Sequence, residues 1–188
     1  MMAKKKYKDE DRNTYDLCWD FIDELETASP RGTAIVAAAV LDEILARLLE
    51  KVMVEDPEVA KQVVREVYTL GNFRARIEGA KKFDLISKEQ HRVLDTIRQV
   101  RNSFAHRVNW SFNEPKTAEK CLALHLDNHV IYEPGKEANP EHRFIVNAAA
   151  LCGQLDGALR NWIERGFDPR NENRPRRQRP YRPDKEKG

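Results

Sequence analysis

Cysteine is scarce in this chain and unpatterned. Cys18, Cys121 and Cys152 are far apart and odd in number, with no CxxC pair and no metal-ligand spacing. That excludes a disulfide framework and a zinc site, and leaves buried reduced thiols as the expectation. No metal and no cofactor is expected. Long apolar runs are lacking too. The strongest, Ala34 to Leu41, is followed at once by Asp42, Glu43 and Arg47. It falls well short of the roughly 20 apolar residues that a bilayer-crossing helix needs. The first dozen residues are Lys-rich and polar, unlike a secretory signal. Reduced thiols and the lack of a span point to a cytoplasmic protein with no membrane partner. Nor is there an excess of one charge. Basic and acidic residues number 33 and 31, a net charge of +2, so only local clustering could attract nucleic acid. No internal repeat is visible.

What the chain does have is helical periodicity, punctuated by caps. After a flexible N-terminus (1–11), Leu17, Phe21, Ile22 and Leu25 predict a first helix ending near Glu26. Ser29-Pro30 reads as an N-cap followed by proline at the first helical position. The helix it opens runs to about Val54. Its apolar residues, from Ile35 and Val36 through Ala39, Leu41, Ile44, Leu45, Leu48 and Leu49, cover most of the circumference, which predicts a central buried helix. Asp56-Pro57 repeats the start signal for a short helix carrying Val59, Val63, Val64 and Val67. Gly71-Asn72 then punctuates before Phe73, Ile77 and Ala80. Ser87-Lys88-Glu89-Gln90 is a capping box for a helix that buries Val93, Leu94, Ile97, Val100 and Phe104 and ends near His106 or Arg107. A short helix over Pro115–Leu126 and a final one from Pro140 to about Arg165 complete the domain, 12–167. The expectation is an all-α compact bundle of about six or seven helices.

Beyond Asp168 the composition changes. Pro169, Pro175, Pro180 and Pro183 alternate with Arg170, Arg174, Arg176, Arg177, Arg179 and Arg182. Such a tail (168–188) offers too little apolar surface to fold alone and is expected to be disordered. Arg174, Arg176, Arg177 and Arg179 are its candidate contacts to nucleic-acid phosphates, diluted by Asp168, Glu172, Asp184 and Glu186.

The motif-bearing region lies between. Leu70-Gly71-Asn72-Phe73-x-Ala75-Arg76-Ile77, then Leu85-Ile86, then Ile97-Arg98-x-Val100-Arg101-Asn102-x-Phe104-Ala105-His106, then Phe112-Asn113-Glu114-Pro115 and Cys121-Leu122 resemble the mannitol-operon-repressor family over roughly Arg31 to Leu124. Where that family often has Leu-Gly-Leu-Ile, this chain has Phe83-Asp84-Leu85-Ile86. The resemblance implies a compact helical regulator without an obvious helix-turn-helix. A second, narrower resemblance is to HEPN domains. Arg101, the adjacent Asn102 and His106 match their Arg-x4-6-His motif, which implies a metal-independent endoribonuclease acting as a dimer. The residue types suit that chemistry. Histidine shuttles protons near neutral pH, and arginine's planar fork holds a phosphate as charge builds.

Two readings follow for Arg101. On a helical wheel it falls inside the apolar arc of Leu94, Ile97, Val100 and Phe104, while His106 lies about 140° away, beside Arg98 and Asn102. If the motif is structural, Arg101 is buried or half-buried against Asp42 or Glu43 of the central helix, and His106 closes its own helix end. If it is catalytic, the helix ends early enough to bring His106 round. His106 is then the general acid/base, Arg101 the phosphate clamp and Asn102 the residue that orients them. The leading expectation is a non-catalytic regulator acting through protein contacts, with possible RNA or DNA contact from the tail. The ribonuclease, a toxin or defence component, is the alternative, and a homodimer suits both. His125 and His129 are four apart, but with no third ligand they read as a solvated pair. Trp19, Trp110 and Trp162 read as core or interface packing.

Overall fold

A computed structural model describes residues 14–53, 64, 70–126, 132 and 134–165. The expected short helix after Asp56, apart from Val64, and the basic tail lie outside the described residues. Within them the chain forms six α-helices. They are α1 (Thr14–Thr27), α2 (Pro30–Met53), α3 (Phe73–Lys82), α4 (Lys88–His106), α5 (Pro115–Leu122) and α6 (Pro140–Arg165). The fold is an all-α bundle, as the periodicity predicts.

The caps work as their residue types dictate. Ser29 Oγ accepts from Gly32 N at 3.2 Å at the start of α2, behind the proline. Asn72 Oδ1 accepts from Ala75 N at 3.0 Å to open α3. At α4 both halves of the capping box form. Ser87 Oγ accepts from Gln90 N at 3.0 Å, and Gln90 Oε1 accepts from Ser87 N at 2.9 Å. Between α3 and α4 the chain reverses through Asp84, whose φ of 55° is left-handed. Asp tolerates that region better than most residues, though less well than glycine.

Helix α2 is the central element, packed against α1, α3, α4 and α6. Leu41, Leu45, Ala46, Leu48 and Leu49 are all but fully buried, and Ile44 nearly so. Its burial is not complete all round: Ile35 is 39% exposed, and Ala39 is exposed beside it. Helix α4 contributes Val93, Leu94, Ile97, Val100 and Phe104, all buried. From Phe104 an aromatic chain crosses to α6. Phe104 and Phe112 have ring centroids 4.7 Å apart, and Phe112 and Phe144 5.1 Å. These contacts pin the α4–α5 turn to the core.

Helix α5 is shorter than its sequence suggests and stops at Leu122 rather than Leu126. Leu124 and Leu126 are both buried while His125 between them is exposed. That alternation has the period of two of extended chain. The Leu124 carbonyl accepts from Arg143 Nη2 at 2.8 Å instead of from a helical neighbour.

Candidate functional site

Most residues that carry the motifs build the fold. Phe73, Ile77, Leu85, Ile86, Val100, Phe104, Phe112 and Cys121 are core, and Asn72 is a cap. Arg76 is a buried arginine. Its Nη1 lies 2.7 Å from Asp42 Oδ1, and its Nη2 donates to the Val64 carbonyl at 3.4 Å. Taken out, these leave Arg101, Asn102 and His106 on the last turns of α4.

Asp42, expected as a partner of Arg101, is held by Arg76 instead. Arg101 makes no ion pair with Asp42 or Glu43. The register of the helices explains this. Arg31 Nη2, at the start of α2, donates to the Ala105 carbonyl, at the end of α4, at 3.2 Å. The helices are antiparallel, so Arg101 lies level with about residue 35 of α2. At about 1.5 Å per residue, Asp42 is about 10 Å further along the axis. Asp42 meets α3 there, and Arg76 reaches it.

Arg101 is half-buried, as its place in the apolar arc predicts, and Asn102 is half-buried beside it. His106 is exposed. Helix α4 does not end early. His106 is its last residue, and Arg107 leaves it with φ −129° and ψ 129°. Helical geometry therefore holds Arg101 and His106 about 140° apart, with a rise of about 7.5 Å between them. The two do not converge within one chain. Among the described residues, the side chains of Arg101, Asn102 and His106 have no hydrogen-bond or ion-pair partner.

The rest of the polar face of α4 is tied down. Arg98 donates to Asp95 Oδ1 through Nε at 2.9 Å and Nη2 at 2.6 Å. Gln99 Nε2 donates to Asp95 Oδ2 at 2.7 Å, and Gln99 Oε1 accepts from Lys120 Nζ of α5 at 2.7 Å. Burial pushes the Asp95 carboxyl up, but the hydrogen bonds from Arg98 and Gln99 and the nearby positive charge outweigh it. The net result is a carboxyl below its ordinary range. Arg98, expected on one polar stripe with Asn102 and His106, is thus committed to Asp95. Past the helix end, Arg107 stacks 4.1 Å over the Trp110 ring, whose Nε1 donates to Thr117 Oγ1 at 2.9 Å.

Other candidates have ordinary roles. Cys121 and Cys152 are buried and in no disulfide. Burial, then the neighbouring Glu141, pushes Cys121 up to about 12. His125 is exposed and His129 lies outside the described residues. Among the described residues no group of three His, Cys, Asp or Glu side chains could hold a metal, and no helix is long and apolar enough to cross a membrane. Trp110 and Trp162 pack against the core; the Trp19 side chain is outside the described set. A hollow on α1 is lined by Asp20, Asp23, Glu24, Glu26 and Thr27, a lining that repels phosphate. Sequence reasoning missed the Arg76–Asp42 pair, although Arg76, one residue before core Ile77 and three after core Phe73, lies on the buried side of the helix and was a signal for it. No family model, no curated protein and no solved structure matches this chain.

Proposed function

We propose that the chain is a non-catalytic regulatory protein that acts as a homodimer through protein contacts, in the manner implied by its resemblance to the mannitol-operon-repressor family. The observation that carries this reading is the unbroken course of α4 to His106. It leaves one subunit without the paired proton shuttle and phosphate clamp that RNA cleavage needs at one atom. The left-handed Asp84 supports the family resemblance. It sits where that family often has glycine, and φ 55° is the conformation glycine supplies most readily. Arg174, Arg176, Arg177 and Arg179 add salt-sensitive contact to RNA or DNA under this reading.

One observation favours a second reading, the HEPN-like ribonuclease. Half-buried Arg101, whose side chain has no partner among the described residues, could meet a phosphate, or the His106 of a second subunit. The two readings part on cleavage. Wild type and His106→Ala are incubated with cellular RNA in excess EDTA, with circular dichroism on both. The regulator cuts nothing. Metal-independent cleavage by wild type that a folded His106→Ala variant has lost would overturn it, since losing a proton shuttle costs roughly 10²–10⁴ in rate.

A further inference from the structure

Two stretches of the chain that meet at one end of the bundle contain no acid. Residues 28–41 and 100–113 hold neither Asp nor Glu, in a sequence with 31 of them among 188 residues. The bond from Arg31 Nη2 to the Ala105 carbonyl, 3.2 Å, fixes the start of α2 against the end of α4. Their cations therefore share one end: Arg31, His106 and Arg107 are exposed, and Arg101 is half-buried. The acids that bound the two stretches in sequence are Glu26, Asp42, Asp95 and Glu114. Asp42 is held by Arg76 and Asp95 by Arg98. Glu114 is half-buried at the start of α5, and Glu26 lies on α1, which packs on α2 and α6. Among the described residues no carboxylate pairs with Arg31, Arg101 or Arg107. An acid-free cationic end of this kind attracts anions.

The same end presents one apolar side chain to solvent. Val108 is 81% exposed, more than any other large apolar residue among those described. Its backbone is held on both sides. Before it, Arg107 stacks 4.1 Å over the Trp110 ring, whose Nε1 donates to Thr117 Oγ1 at 2.9 Å. After it, Asn109 turns the chain with a left-handed φ of 57°, and Phe112 is in the core. A guanidinium stacked on a ring is a fork fixed in place for a carboxylate or a phosphate. Arg31 gives one N–H to Ala105, and a guanidinium has further donors. A protein anion suits this end better than a single-stranded nucleic acid. Single strands bind by stacking bases on aromatic rings, but Trp110 carries Arg107 on its ring and packs against the core. Carboxylates beside an apolar side chain match Arg31, Arg107 and Val108.

We infer that the joined ends of α2 and α4 are a docking face for an acidic, apolar-bearing segment of a partner protein, with Arg31 and Arg107 taking its carboxylates and Val108 meeting its apolar side chain. This rests on the regulatory reading of the preceding section and names the chemistry of the partner.

Fluorescence anisotropy on the full chain tests this with three labelled probes of equal length: a peptide of alternating Glu and Leu, its counterpart with Gln for Glu, and poly-uridine. The proteins are wild type, Val108→Asp, Arg107→Glu and a tail control carrying Arg177→Glu and Arg179→Glu, with circular dichroism on each. Wild type is expected to bind the Glu–Leu peptide and not the Gln–Leu one. Val108→Asp and Arg107→Glu change exposed side chains, so both stay folded, and each weakens binding by roughly tenfold or more. The tail control changes it little. A wild type that does not bind the Glu–Leu peptide, or a loss that follows the tail control and not the two face variants, overturns the docking face. Tighter binding of poly-uridine, lost in the same two face variants, overturns the protein partner and gives the face to nucleic acid. Failure here without RNA cleavage in the preceding test removes this face and leaves the regulator standing.

Discussion

Arg76 and Asp42 show how much one pair of side chains settles. The Arg76 side chain is 9% exposed and that of Asp42 26%. Removing the carboxylate strands a buried guanidinium, so Asp42→Ala is expected to lower stability by roughly 3 kcal/mol in urea denaturation. Asp84 works in the opposite direction. Asp84→Gly relieves a left-handed backbone and is expected to be neutral or to raise stability by up to about 1 kcal/mol. The pH response also belongs to single residues. The Asp95 carboxyl is lowered in the folded chain, so its contribution is present above the unfolded value and is lost as pH falls through the folded one. The Glu141 carboxyl is raised by burial and has the reverse sign: its protonated form is favoured on folding, so it opposes stability as pH rises. Asp95→Asn should therefore flatten the loss of stability in acid, and Glu141→Gln should raise stability near neutral pH relative to acid. Denaturation midpoints of each variant across pH 3 to 7, a window set by roughly normal unfolded carboxylates, check both signs.

At the scale of helices, much was legible in the sequence. Ser29-Pro30, Asn72 and the Ser87–Gln90 box mark three helix starts because caps are local chemistry. The buried face of α4 follows from its period. What the sequence could not give was register between helices. The wheel put Arg101 inside the apolar arc, and it is half-buried, but Asp42 as its partner required knowing which turn of α2 lies opposite. That depends on tertiary packing, as does the early end of α5, where Leu124 and Leu126 go to the core in extended chain. The exposed Ile35 was hidden for the same reason, because an apolar residue on a mostly apolar helix gives no sign of facing solvent. Two substitutions test the helical scheme by thermal or urea denaturation. Leu48→Ala, on the buried side of α2, is expected to cost roughly 2–5 kcal/mol. Ser87→Ala, which removes one half of the capping box, is expected to cost about 1 kcal/mol.

On the scale of the whole molecule, geometry keeps the two motif residues apart. The bundle holds α4 as a single helix through His106, with Phe104 in the core and Trp110 and Phe112 anchoring the chain beyond. So Arg101 and His106 stay on different sides of it. The most direct measurement is the backbone ¹³Cα chemical shift of residues 101–106 by NMR, alone and with a short single-stranded RNA added. Helical shifts through His106 in both conditions are expected. Loss of helical shifts from Ser103 onward when RNA is added would contradict the claim, because it would show the helix opening to bring His106 to Arg101.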